Sequence, residues 1–191
     1  MGIIDVFFSN PLEMIGLVGL LVVLIIVCSY TDKNKDRFGG LFVKNILAGL
    51  DSSVYKVLND VVLVVNGNSL KIDHIVVSKY GVFVIKTKYY KGYIIGNRDS
   101  IKWSIRQNIK KWYISNPIIE NDKVVKSVCN VLSLDKDKVF NIVCVPDICR
   151  LEVRDAQELV KYGNLASKIK MYDKILIKDV DSVVAAIERG K

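Results

Sequence analysis

Histidine is almost missing from this chain: His74 is the only one in 191 residues. The four cysteines stand apart at positions 28, 129, 144 and 149, and no two of them make a C-x-x-C pair. These two shortages exclude a structural zinc site of the usual Cys/His spacing. They fit free, partly buried thiols in a reducing compartment. Lysine and arginine are missing before Lys33, so the basic n-region of a secretory signal peptide is not there. Internal repeats and low-complexity tracts are also lacking.

What is present points to one domain with an appendage. Apolar residues make up 51% of the chain and charged residues 25%, enough for a real core and too apolar for wholesale disorder. Residues Met14 to Tyr30 carry no charge, with Asp5 and Glu13 before them and Lys33, Lys35 and Arg37 after. At about 1.5 Å rise per residue this run is just long enough to span a bilayer core. The expectation is a single transmembrane helix over about 14–30. The basic C-terminal flank would place the domain beyond it in the cytoplasm. All 28 Lys and Arg, and 18 of the 20 Asp and Glu, lie after residue 30, which gives that part +10. A basic domain of this kind meets nucleic acid or an anionic membrane surface.

Along the chain, residues 1–30 form the N-terminal segment, 31–40 read as a polar linker ending in Gly39-Gly40, and 41–191 as the domain. A helical stripe covers Leu41 to Leu50. Val57 to Val65 is a strand closed by the turn Asn66-Gly67-Asn68. Two strands from Ser69 to Tyr89 make a hairpin, and a short strand comes next at Gly92 to Gly96. Trp103 to Tyr113 is basic and aromatic. Asn116-Pro117 opens a helix to about Leu134. Val139 to Val145 is a buried-type strand stopped by Pro146. Ala156 to Met171 reads as a helix, Lys174 to Ile177 as a short strand, and Val180 to Arg189 as a closing helix. This order predicts an α/β or α+β fold, a sheet with helices on both faces.

The hairpin holds charges where apolar side chains are expected: Asp73, Lys86 and Lys88. Buried charge is costly, so charges kept inside strands point to a site or a pair. The segments Tyr55-Lys56-Val57-Leu58-Asn59-Asp60-Val61, Ile72-Asp73-His74-Ile75-Val76-Val77-Ser78 and Gly81-Val82-Phe83-Val84-Ile85 with Thr87-Lys88 occur in order. Lys91-Gly92, Gly96, Trp103 and Asn116-Pro117 come after them. This series resembles the nuclease-related domain (NERD) family, a branch of the PD-(D/E)-x-K nucleases, over roughly Phe38 to Leu134. The resemblance implies a restriction-endonuclease-like mixed sheet flanked by helices. It also implies phosphodiester hydrolysis by Mg²⁺ held on carboxylates beside a lysine.

Strand alternation puts residues 86 and 88 on one face, about 7 Å apart. A hairpin loop of even length pairs 77 with 82, and therefore 73 with 86. The resemblance makes Asp73 and Lys88 the catalytic positions. The carboxylate that the family motif places at 86 is Lys86 here, and the acid of the first helix is Leu41. Asp73 facing two lysines is a poor Mg²⁺ site. Lys86 can pair with Asp73 and stand in for the metal's charge. Asp60 and Glu120 are the carboxylates that could restore a ligand. No cofactor is expected unless the nuclease is active, when Mg²⁺ is required, on Asp73 with Glu120 as a second ligand. His74 lies on the face opposite Asp73 and reads as structural. Lys102, Arg106, Lys110, Lys111 and Trp112 are the candidate nucleic-acid contacts; a solvated helix face with its tryptophans in the core fits the same residues.

The sequence is compatible with three functions. The first is a membrane-anchored cytoplasmic domain, a pseudoenzyme, that binds nucleic acid or a partner without efficient cleavage. The second is an active Mg²⁺-dependent nuclease with a rearranged site. The third is a non-catalytic scaffold at the anionic membrane surface.

Overall fold

The structure is a computed structural model that describes residues 11–65 and 67–190, with the side chains of 11–14 and 24–37 outside the description. The chain divides into two units, one up to Phe38 and one from Gly39 onward. Helix α1, Pro11–Ala48, runs across that division and through residues 31–40, the segment that reads as a linker in the sequence.

The expected transmembrane helix is corrected here. Among the described residues no helix is long and apolar enough to cross a membrane. A span needs about 20 consecutive apolar residues. The apolar side chains described on α1, from Ile15 to Val23, cover about 13 Å at helical rise, and the rest of the 14–30 run lies outside the described side chains. The single-pass membrane placement with a cytoplasmic domain rested on that span and falls with it.

The second unit is a mixed α/β fold with two sheets. The larger has the order β1-β2-β3-β7-β9, with β1 Lys56–Val65, β2 Asn68–Ser78, β3 Gly81–Thr87, β7 Val139–Val145 and β9 Leu159–Lys161. β1, β2 and β3 are antiparallel neighbours, whereas β7 runs parallel to β3 and β9 parallel to β7. The smaller sheet has the order β6-β5-β4-β8, with β4 Tyr93–Asn97, β5 Lys102–Gln107, β6 Lys110–Ser115 and β8 Arg150–Arg154.

Helices cover both faces of the larger sheet. On one face Val43 and Leu47 of α1 pack with Val76, Phe83, Ile85 and Ile142, joined by Leu165 and Ile169 of α3, Leu165–Lys170. On the other, Val125 and Val128 of α2, Pro117–Leu132, and Ile187 of α4, Val180–Arg189, pack on Ile75, Val77, Val82 and Val84. A third cluster joins the inner face of the smaller sheet to β7 through Ile94, Trp103, Ile118, Val143 and Val145. Strands buried on both faces read as continuous Val/Ile runs for this reason.

α2 begins where its sequence says. Asn116 caps it, its side-chain oxygen accepting from the N–H groups of Ile118 and Ile119, and Pro117 supplies a first-turn φ at no cost in hydrogen bonds. The Asn116 amide also donates to the carbonyls of Arg98 and Ser100, which ties the cap to the β4–β5 loop. Two expectations near the C-terminus fail. Within 156–171, Leu159–Lys161 is a parallel strand and only Leu165–Lys170 is α-helical. Lys174 to Ile177 forms no strand; the N–H groups of Leu176 and Ile177 both donate to the carbonyl of Lys79 in the β2–β3 turn.

Candidate functional site

The two-residue turn Lys79-Tyr80 sets the β2–β3 register, pairing Val77 with Val82 and continuing to His74 with Ile85. One step further the same register brings Asp73 level with Lys86. Lys86 follows Val82 and Val84 by alternation, on the face packed against α2. Lys88 reaches the same helix: its ammonium lies 3.4 Å from Glu120 Oε2 in the first turn of α2. The structure thus gathers Asp73, Lys86, Lys88 and Glu120 at the end of β3.

Each member is already engaged or opposed. Asp73 Oδ2 accepts the backbone N–H of Thr87 at 2.8 Å. Glu120 is held by Lys88. Among the ion pairs of the described residues none joins Asp73 to Lys86, so the expected charge pair is one of register and not of contact. On its other side Asp73 has Asp60, because Asn59 pairs with His74 and Val61 with Ile72. Asp60 is exposed and left-handed, at φ 51, between those two pairs. Leu41, where the family's other acid would stand, is an exposed apolar residue of α1.

This set does not fit a divalent ion. Among the described residues no three His, Cys, Asp or Glu side chains converge. A Mg²⁺ ion takes hard oxygen ligands in near-octahedral geometry, and here one ammonium is level with Asp73 while a second holds Glu120.

His74 is buried on the α1 side, its Nδ1 2.7 Å from Asn59 Oδ1 and its Nε2 without a hydrogen-bond partner. Burial pushes its pKa below the ordinary value, against the pull of Asp73 and Asp60 and with help from Lys44. Its burial and its bond to Asn59 lie on the face opposite Asp73, where strand parity puts it. The thiol of Cys144 sits beside Thr87 and is pushed up to about 12 by burial; Cys149 is pushed up to about 11 for the same reason. Thiols raised this far are held mostly protonated at neutral pH, and the thiolate is the reactive form.

Sequence reasoning missed the polar lattice that seats α2. The buried Asn121 amide donates to the carbonyl of Val84 and to Asn141 Oδ1, pinning the helix to β3 and β7. Asn141 in turn donates to Asp122 Oδ1 at 2.8 Å. Arg98 bridges Asp122 and Glu158 at 2.8 and 2.9 Å. Arg98, Asp122, Asn141 and Glu158 help line a cleft of about 370 Å³, whose lining does not include Asp73. The one available signal was an asparagine among the apolar positions of a helix.

The basic and aromatic stretch is a β-hairpin, β5–β6, and not a helix. Pairing of Arg106 with Lys111, Ser104 with Tyr113 and Lys102 with Ser115 puts these residues on one face. Tyr93 pairs with Arg106 on one side and with Arg150 of β8 on the other. A single row therefore crosses the four strands: Lys111, Arg106, Tyr93, Arg150. The guanidinium groups of Arg106 and Arg150 each lie 5.2 Å from the Tyr93 ring centre. Arg150 also donates to the Tyr93 hydroxyl at 2.9 Å. Lys110 and Trp112 alternate to the other face, that of Ile105 and the fully buried Trp103. Of the five expected contacts, the structure sets Lys102, Arg106 and Lys111 together and turns Lys110 and Trp112 away.

Comparison with known proteins agrees with this architecture. The nuclease-related domain (NERD) family matches residues 35–146, more than half of the chain. An uncharacterized protein of Bacillus anthracis is 34% identical over 117 residues, which are 61% of this chain and 55% of that protein. The chain thus spans about half the length of that relative. No solved structure matches the chain. The match from α1 through β7, over a hairpin whose register brings Asp73 level with position 86, means that this chain belongs to the nuclease-related domain family.

Proposed function

We propose that this domain binds nucleic acid and retains it without efficient hydrolysis. Membership of a nuclease-related family supports a nucleic-acid role. The observation that carries the finer reading is the charge at the end of β3: Lys86 level with Asp73, and Lys88 bound to Glu120 at 3.4 Å. A site of this kind attracts a phosphodiester through its ammonium groups and offers no carboxylate at position 86 to share a metal with Asp73. The +10 carried after residue 30 supplies the long-range attraction. The test is binding of the full chain to DNA and RNA across a salt series, beside a cleavage assay with Mg²⁺. The reading expects affinity that falls steeply with salt, together with intact substrate.

One observation favours a second reading, an active nuclease with a rearranged site. Asp60 falls between the Asn59–His74 and Val61–Ile72 pairs of the β1–β2 register, which makes it the carboxylate level with Asp73 on the side away from Lys86. Cleavage that needs Mg²⁺ and is lost in Asp60→Asn would establish that reading in place of the first.

A further inference from the structure

The outer face of the smaller sheet carries more than the hairpin motif. β8, which joins β4 in parallel from a distant part of the sequence, adds Arg150 and Arg154 to Lys102, Arg106 and Lys111. All five cations are exposed, and the carboxylate among them is Glu152. Like charges placed directly opposite on neighbouring strands destabilise a sheet. Arg106 and Lys111 are nevertheless a direct cross-strand pair. Packing gives no reason for the five cations, since all of them are exposed while the opposite face holds the core contacts of Ile94, Trp103 and Ile105. A polyanion laid across it would neutralise the row.

The aromatic groups decide which polyanion. Tyr113 is 66% exposed, stands one row from Arg106, and has the Lys111 ammonium 5.4 Å from its ring centre. An exposed ring beside a line of cations is a stacking surface. Bases inside a duplex already stack on each other and present only edges and phosphates, whereas an unpaired base offers its π-face. The strand spacing of about 4.8 Å makes the row from Lys111 to Arg150 about 14 Å long and straight. Tyr93, held between two guanidinium groups, fixes Arg106 and Arg150 toward the same line and reduces the side-chain freedom lost on binding.

We infer that the outer face of β6-β5-β4-β8 is a platform for single-stranded nucleic acid, with Lys111, Arg106 and Arg150 on phosphates and a base stacked on Tyr113. This inference deepens the proposed nucleic-acid binding and rests on it.

The test uses the full chain with a fluorescent oligothymidylate and, separately, a duplex of the same length, titrated at several salt concentrations. The single strand is expected to bind more tightly than the duplex. Tyr113→Ala should weaken single-strand binding about tenfold, the scale of one lost base stack, while Tyr113→Phe keeps it. Arg150→Ala should lower the slope of log affinity against log salt by about 0.7, one phosphate contact to a single strand. Tighter binding of the duplex, or Tyr113→Ala and Arg150→Ala proteins that bind like wild type, would overturn the platform and leave nucleic-acid binding standing. Absence of binding to either probe at low salt would overturn both.

Discussion

The backbone N–H of Thr87 donates to Asp73 Oδ2 at 2.8 Å, which fixes the one family carboxylate of the site across the strand that carries Lys86 and ends just before Lys88. A carboxylate held this way is anchored by its own sheet. With Lys86 level with it, the pocket of charge at the end of β3 suits an anion better than a cation.

Replacing Lys86 by glutamate puts a second carboxylate level with Asp73. Facing carboxylates repel and raise each other's pKa. In the absence of metal the variant should lose up to about 1 kcal/mol, a fall of about 2–4 °C in melting temperature. Mg²⁺ should then stabilise the variant more than wild type, because an ion that binds the native state raises its stability by mass action. Thermal melts of both proteins with and without Mg²⁺ check both halves.

Gly96 lies under the ring of Trp103; a methyl group there would sit 2.3 Å from Trp103 Cδ1. Trp103 is buried, and its indole N–H donates to the carbonyl of Asn97 at 2.8 Å, so the ring has no room to retreat. Gly96→Ala should cost about 1–3 kcal/mol by overpacking. Urea unfolding, with an unchanged m-value, is the measurement.

His74 gives the fold a pH dependence of known sign. Its folded pKa is below the ordinary 6.5, chiefly through burial. The contribution is complete above the unfolded value and is lost as pH falls through the window between 6.5 and the lower folded value, because the unfolded chain takes up the proton first. Stability should therefore decline below pH 6.5 in wild type and more gently in His74→Gln. Chemical denaturation from about pH 7.5 down to about 5, above the carboxylate range, compares the two.

Arg98 holds Asp122 and Glu158 together, and its own pKa is raised first by its hydrogen bond to Asp122. All three side chains are between about a fifth and a third exposed, so water screens part of what is lost when the cation goes. Arg98→Ala should destabilise by about 1–3 kcal/mol. Because Asp122 also accepts from Asn141, the loosened element should be α2, read as faster amide exchange along that helix.

The part of the fold legible in the sequence is the part built from local signals. The β2–β3 register follows from alternation and a two-residue turn, and α2 follows from Asn116-Pro117. The hairpin β5–β6 was hidden, because Gln107 and Lys110 interrupt its apolar face while Ser104 is buried on its polar face. β9 was hidden because its ladder is formed with β7: the N–H of Val143 donates to Glu158 and Val143 pairs with Leu159, partners that local periodicity does not reveal. The register that sets Asp73 level with Lys86 was legible from strand alternation and the turn. Arg150 was not, since only the parallel pairing of β8 with β4 brings it to Tyr93. The uncharged N-terminal run misled, because absence of charge does not by itself make a spanning helix.

The central claim is binding without cleavage, and the most direct measurement takes both from one sample. The full chain is incubated with labelled single-stranded and duplex DNA, with Mg²⁺ or with a chelator, and each reaction is read by native and by denaturing electrophoresis. The account predicts a retarded complex that forms equally with and without Mg²⁺ and strands that stay full length. Strands cut only where Mg²⁺ is present would contradict it.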